Sequence, residues 1–174
     1  MNSIIKSKFS NLQDSRLALI ERLKNIPAEK LEAHPAEGKW SVAQIFYHLN
    51  RAESFSTIYV SKKRLDVNNL KKTGFMEALK LLTLKILFKM PIALKAPVKV
   101  LGDVPEKVDY KLITEEWNAT RVRLKALIES LPEDMLYKNV FKQPAIGRIN
   151  IFQMLDFMQA HFNRHKSQVE KIVN

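Results

Sequence analysis

Two stretches of this chain share one pattern: Pro35-Ala-Glu-Gly-Lys-Trp-Ser-Val-Ala-Gln-Ile45 and Pro144-Ala-Ile-Gly-Arg-Ile-Asn-Ile-Phe-Gln-Met154. Both read Pro, Ala, any residue, Gly, basic, apolar, Ser or Asn, β-branched, any residue, Gln, apolar. Ser or Asn followed three residues later by Gln is the capping-box pattern that starts an α-helix. We therefore expect long helices to begin directly after Ser41 and directly after Asn150.

Helical spacing of apolar residues dominates the rest of the chain, and strand-like alternation is nearly absent. We expect a first helix over about residues 4–25, ended by Pro27, and a third that Thr114 caps and Pro132 ends. The sequence therefore predicts an all-α fold, a four-helix bundle of two helical hairpins joined by a long crossover. Chance, or one helix-start loop used twice, is the other explanation of the shared pattern.

Residues 62–111 form the predicted crossover within a single domain that spans residues 1–174. Residues 75–89 have the spacing of a short amphipathic helix, with four apolar side chains on one side. Three prolines then impose an extended path on the chain. Because this is long for a connection inside a compact domain, we expect it to cross over or to cover a site. The four apolar residues are Phe75, Leu79, Leu82 and Ile86.

Composition limits the chemistry of this protein. The chain has no cysteine, which excludes disulfides, thiolate metal ligands and a cysteine nucleophile, so that any thiol has to come from outside. Its first residues lack the apolar core of a signal peptide, and no apolar run reaches membrane-spanning length. We therefore expect a cytoplasmic protein without a membrane span.

Positive charge is concentrated in the crossover. The formal net charge is +11, and residues 62–111 hold twelve Lys or Arg against five Asp or Glu, which is +7 of that total. A basic surface attracts nucleic acid, anionic lipid or an acidic small molecule, although a solvated lysine-rich face is the simpler interpretation. Nucleic acid is disfavoured because the basic residues lie among aliphatic side chains and no recognition-helix pattern is present.

Two histidines interrupt the apolar face of the last predicted helix. His161 and His165 are four residues apart and share the face of Met154, Met158 and Ile172. His48 lies on or beside the inward stripe of the helix that starts at Ser41. Buried imidazoles need partners for their ring nitrogens, and a metal ion supplies one.

Three histidines from two helices are the usual protein ligands of an open divalent site, in which a further position is left for water or substrate. A single inward histidine is ordinarily a hydrogen-bonded core residue, and a pair alone is ambiguous. The third ring, on a facing helix, favours a metal site formed by His48, His161 and His165. His34 lies in a loop and is interpreted as a surface residue.

The chain resembles the DinB/YfiT-like family. The resemblance lies in Gly38-Lys-Trp-Ser-Val-Ala-Gln-Ile-Phe-Tyr-His48-Leu, in His161-Phe-Asn-Arg-His165-Lys-Ser-Gln168 and in Phe88-Lys-Met-Pro-Ile-Ala-Leu-Lys-Ala-Pro97. It implies a four-helix bundle with a long crossover, often dimeric. It also implies that the three histidines bind zinc, nickel or a similar divalent ion.

The resemblance further suggests a metal-dependent enzyme, such as an S-transferase that uses a low-molecular-weight thiol. Lys95 and Lys99 of the crossover are the residues that we expect to bind the carboxylates of such a thiol. A hydrolase is less favoured, because no acidic residue on an inner face is an obvious general base. The alternative is a non-catalytic stress-response or binding module whose basic crossover contacts an anionic partner.

Overall fold

The computed structural model describes residues 2–64, 70–90 and 102–174. Six α-helices, one 3-10 turn and one short hairpin follow each other along these residues. They are α1 (Ser3–Leu23), α2 (Ala28–Glu32), α3 (Val42–Lys63), α4 (Phe75–Lys89), α5 (Tyr110–Ser130), the 3-10 turn Glu133–Met135, β1 (Phe141–Gln143), β2 (Gly147–Ile149) and α6 (Ile151–Val173).

The four long helices α1, α3, α5 and α6 form the body of the protein, and the predicted all-α class is confirmed. Helix α3 packs most extensively against α5 and also against α6, while α1 packs against α6 and α5. The closest contacts therefore join helices from different halves of the chain. One apolar cluster fills the space between them, with Trp117 and Phe162 among its largest buried side chains.

Both long helices that follow the shared pattern begin where the sequence predicts. Ser41 caps α3 and Asn150 caps α6, and each forms the full capping box with the glutamine three residues later. The glycine of each stretch has positive φ, +67° at Gly38 and +104° at Gly147, which explains why the pattern contains glycine. The shared pattern therefore encodes the same local structure twice, a loop with a positive-φ glycine followed by a capped helix start.

The predicted start of the third long helix is wrong. Asp109 is the cap of α5, because its side chain accepts a hydrogen bond from the backbone N–H of Leu112. Thr114 lies one turn inside the helix, where its hydroxyl donates to the carbonyl of Tyr110. Both residues have capping side chains, and Asp109 satisfies the free N–H groups first.

A two-stranded antiparallel hairpin leads into α6, and it was not predicted. Phe141 pairs with Ile149, and both side chains are buried. Each strand has only three residues, which is too short for an alternating pattern to be visible in the sequence. The hairpin places Phe141 beside Tyr59 of α3 and so joins the start of α6 to α3.

Helix α4 lies against α6, and the apolar side that the sequence indicates faces outward. Phe75 is 79% exposed, and Leu79, Leu82 and Ile86 are exposed as well. Only Leu81 of this helix is buried. No helix within residues 2–64, 70–90 and 102–174 is both long and apolar enough to cross a bilayer. Lys95 and Lys99 lie outside the described residues.

A buried ion pair connects α3 to α5. The carboxylate of Glu53, 3% exposed, accepts hydrogen bonds from Arg121 at 2.6 and 2.8 Å and from the indole N–H of Trp117 at 2.8 Å. A buried carboxylate is tolerated only when it is paired and hydrogen-bonded, and three donors meet that need. This ion pair fixes the rotation of α3 about its own axis relative to α5.

Replacing Glu53 with Gln leaves the buried Arg121 without its counter-charge. We expect Glu53→Gln to lower the free energy of unfolding by about 3–5 kcal/mol, as measured by urea denaturation. Asp134→Asn, which removes the exposed ion pair with Lys138, is the control and has an expected cost below about 1 kcal/mol. Equal losses in the two variants would contradict a structural role for the buried pair.

Candidate metal centre

The three histidines predicted to bind a metal lie together between α3 and α6. The Nε2 atom of His161 is 3.1 Å from Nε2 of His48 and 3.1 Å from Nε2 of His165. One ligand atom from each ring lies within 4.8 Å of the others. His48 and His165 are buried and His161 is partly buried. His48 and His161 are 113 positions apart in the chain, yet their Nε2 atoms face each other.

Two of the three distances between the ring nitrogens are close to those of a tetrahedral metal site. Two imidazole nitrogens bound at about 2.0–2.1 Å to a tetrahedral zinc ion are about 3.3 Å apart. Nε2 of His161 has two short contacts, one to His48 and one to His165. Without an ion, a proton on this nitrogen can form a hydrogen bond to only one of them, and the other contact is left without a hydrogen bond. An ion at the common point would accept one lone pair from each ring, so these residues fit a divalent metal.

Gln168 orients His165. Nδ1 of His165 is 2.7 Å from Oε1 of Gln168, one helical turn further along α6, and therefore donates its proton to that oxygen. The lone pair of His165 is then on Nε2, the atom that faces the other two histidines. Hydrogen bonds of this kind, from the second nitrogen of a ligand ring, commonly fix the rotation of metal-binding histidines.

Burial keeps the three rings neutral near pH 7. It lowers the pKa of His48 to about 4 and, with the nearby His48 ring as a second cause, the pKa of His165 to about 3. Burial also holds the pKa of His161 well below its usual range, and His165, His48 and Arg164 act in the same direction. Neutral imidazole is the form that binds a metal, so the ligands need not lose protons on binding.

Aromatic side chains surround the histidine cluster. The rings of Phe157 and His161 are stacked 5.7 Å apart with an angle of 8° between them, and Phe88 of α4 lies 5.8 Å from His161. Trp40, just before α3, lies 5.1 Å from His48. These rings exclude water from the sides of the cluster. Arg164 donates to the carbonyls of Phe88 and Met90 and thereby ties the end of α4 to α6.

The histidines line a cavity of about 930 Å³, which is in the range of pockets that hold small molecules. Side chains from the loop before α3, from α3, α4, the hairpin and α6 form its wall. Among the described residues these side chains are mostly apolar or aromatic, and the charged ones are all basic. The charged and aromatic residues are Lys39, Trp40, Phe55, Phe88, Phe141, Phe157, Arg164 and Lys171.

No carboxylate from the described part of the chain lines this cavity. The two acidic residues nearest to the inner faces in the sequence have structural partners elsewhere. Glu53 pairs with Arg121 between α3 and α5, and Asp156 pairs with Lys8 of α1. Sequence reasoning thus located the three histidines, while the aromatic wall and the basic residues Lys39 and Lys171 were missed. The sequence did contain an indication for Lys39, because this residue directly precedes the tryptophan of the helix-start pattern.

The sequence model of the DinB superfamily matches residues 11–169. The chain belongs to the DinB superfamily. It is also 25% identical over 171 residues to the uncharacterized protein YuaE of Bacillus subtilis (strain 168), which covers 94% of this chain and 95% of YuaE. No solved structure matched the chain.

The low pKa values of the histidines predict that acid destabilises the metal-free protein. Between about pH 6.5 and pH 4 the unfolded histidines bind protons, whereas folded His48 and His165 stay neutral, so the free energy of unfolding falls as the pH falls. At pH 5 we expect a loss of roughly 2 kcal/mol for each ring relative to pH 7. Urea denaturation of chelator-treated protein at both pH values measures it.

The variant His48→Gln gives this pH experiment its reference point. His48→Gln removes one buried ring and should reduce the loss between pH 7 and pH 5 by roughly 2 kcal/mol. A free energy of unfolding that is the same at pH 7 and pH 5 in the wild type would refute the neutral buried rings.

The hydrogen bond from His165 to Gln168 predicts a contribution to metal affinity. We expect Gln168→Ala to weaken the binding of zinc by about 10–100-fold, because the ring of His165 loses the partner that holds its orientation. Competition with a chromophoric chelator measures this affinity. Asn163→Ala, an exposed change on the same helix, is the control and should leave the affinity as in the wild type.

Proposed function

We propose that His48, His161 and His165 bind one divalent ion, zinc or nickel, and that the protein is a metal-dependent S-transferase for a low-molecular-weight thiol. The observation that supports this most is the convergence of three neutral imidazole nitrogens on the wall of a cavity of about 930 Å³. A structural metal site is closed by four protein ligands, whereas three ligands facing a cavity leave a position for a substrate.

Neutral ligands determine the chemistry that this site offers. Three imidazoles leave the charge of a divalent ion undiminished, and an ion bound there would lower the pKa of a thiol or water molecule brought to it. A thiol has an ordinary pKa close to 8.5, so a modest reduction is enough to form the thiolate near pH 7. Thiol activation therefore needs no additional strong base from the protein.

The protein's own residues position the reactants and exclude water. Gln168 holds the ring of His165 so that Nε2 faces the cluster, and Arg164 holds the end of α4 over it. Phe88 and Phe157 then shield the sides of His161. A nucleophilic thiolate gains reactivity in such a site because competing water is kept away.

A hydrolase is supported less well. Metal-dependent hydrolases commonly use a carboxylate beside the metal as general base, and the described residues place none in the cavity wall. Glu53 is unavailable because its oxygens accept hydrogen bonds from Arg121 and Trp117. The distribution of acidic residues therefore favours chemistry in which the nucleophile is activated by the site alone.

The proposal includes the cytoplasm as the compartment, since low-molecular-weight thiols are kept reduced there. The chain has no cysteine, so no thiol of its own competes with the substrate. The homodimer that the family resemblance implies stays a prediction. Size-exclusion chromatography with light scattering would test it.

A second candidate is a non-catalytic binding module that contacts an anionic partner through the basic crossover. The outward apolar side of α4 and its lysines favour it, because they offer a contact surface away from the cavity. Such binding would weaken steeply with salt and would survive substitution of the histidines. Catalysis at the histidine cluster would instead be lost when the histidines are substituted, and it would depend little on salt.

Metal content and thiol transfer in histidine variants test the proposed enzyme. We expect about one equivalent of zinc or nickel in the wild type, measured by mass spectrometry, and little in His161→Ala, which retains only two of the three ligands. Consumption of a thiol with 1-chloro-2,4-dinitrobenzene as acceptor should fall to the uncatalysed rate in the same variant.

His34→Ala is the matched control, since His34 is exposed and lies outside the cluster. It should retain both the metal and the activity. If His161→Ala kept the metal content and the thiol transfer of the wild type, the proposal would be abandoned.

A further inference from the structure

The charged side chains that the described residues contribute to the cavity wall are all basic. Lys39, Arg164 and Lys171 line the cavity, and no described Asp or Glu is part of the wall. A divalent ion at the histidines would add further positive charge. A cavity of this kind attracts an anion and repels a cation, and the low dielectric of its aromatic walls strengthens both effects.

The three basic side chains differ in their contacts. Arg164 donates hydrogen bonds to the carbonyls of Phe88 and Met90, and its guanidinium lies 5.8 Å from the centre of the Phe88 ring. Lys39 and Lys171 are exposed, and neither has an ion-pair partner among residues 2–64, 70–90 and 102–174. These two ammonium groups are therefore available to a ligand at the cavity.

The rest of the cavity wall favours a ligand with a large apolar part. Five aromatic rings line the cavity together with Ile45, Leu84 and Ile172. Burying an apolar group against such side chains contributes roughly 25 cal/mol for each Å² removed from water. A small hydrophilic anion would fill little of the cavity of about 930 Å³ and would leave these rings in contact with water.

The positions along α6 indicate how far apart the two ends of the ligand lie. Lys171 follows His165 by six residues, which places its backbone about 9 Å further along the helix axis. A molecule that reaches from the histidines to Lys171 thus needs an apolar part of about the length of a phenyl ring and a short chain. Its charged group then lies among lysines while its other end lies at the histidines.

We infer that the cavity binds an aromatic or similarly bulky apolar carboxylate, whose carboxylate is bound by Lys39 and Lys171 and whose apolar part contacts the aromatic wall. This inference rests on the proposed function in taking the cavity as the substrate site, and it assigns the ligand class of the partner that meets the thiol there. Lys39 and Lys171 are then residues that determine specificity, separate from the histidines.

Binding of 4-phenylbutyrate, compared with two matched compounds, tests this inference. Its amide, 4-phenylbutyramide, retains the ring and removes the charge, while butyrate retains the charge and removes the ring. By isothermal titration calorimetry on zinc-loaded protein, we expect 4-phenylbutyrate to bind at least about tenfold more tightly than either compound, because only it satisfies both the lysines and the aromatic wall.

Lysine variants show where the carboxylate binds. The double variant Lys39→Gln, Lys171→Gln should lose the preference for 4-phenylbutyrate over its amide and bind the amide as the wild type does. The control is Lys30→Gln, Lys125→Gln, which removes the same charge from exposed positions outside the cavity wall and should keep the preference. Equal binding of acid and amide by the wild type would overturn the inference, as would a preference that survives in the cavity variant.

Repeating the titration with chelator-treated protein separates this inference from the proposed metal site. Because the lysines bind the carboxylate, the preference for the acid over the amide should persist without zinc. A preference that exists only with zinc would assign the carboxylate to the metal and overturn the inference. A protein that retains the preference but never binds a metal would instead contradict the proposed function alone. Failure of 4-phenylbutyrate to bind at millimolar concentration would also overturn the inference.

Discussion

The buried carboxylate of Glu53 sets the orientation of α3, and the site depends on that orientation. Glu53 needs Arg121 and Trp117 of α5, so one side of α3 has to face α5. At 100° per residue, His48 lies about 140° around the helix from Glu53. It therefore faces away from α5 and toward α6, where His161 and His165 lie. A polar contact with no chemical role thus directs a ring toward the cavity.

The same ion pair explains the electrostatic character of the cavity. Glu53 and Asp156, each within five residues of a clustered histidine, both have basic partners on neighbouring helices. Their charges are used in holding α3 to α5 and α6 to α1. The described residues that line the cavity around the histidines are mostly apolar or aromatic, and the charged ones among them are basic. No described carboxylate near the imidazoles opposes the effect of burial, which keeps them neutral, and the cavity stays attractive to anions.

Sequence reasoning was most accurate where local chemistry determines structure. The capping boxes at Ser41 and Asn150 depend on residues three positions apart, and the helical pair His161 and His165 depends on four. Asp109 took the role predicted for Thr114, because a single capping side chain without its box does not define a start. The outward side of α4 depends on what packs against it, which spacing alone does not encode. The cavity wall is likewise assembled from five separate segments, and only the fold brings Lys39 close to the histidines.

The placement of the three histidines also affects how the chain is held together. His48 and His161 are 113 residues apart, and a chain without cysteine cannot form a covalent cross-link between them. An ion bound by both would close this loop as a disulfide does, and closing a loop of about 100 residues removes unfolded-state entropy worth about 4.7 kcal/mol in the chain-entropy model. The ion would act as a reversible cross-link between α3 and α6. Metal supply in the cell would then affect how long each molecule survives proteases.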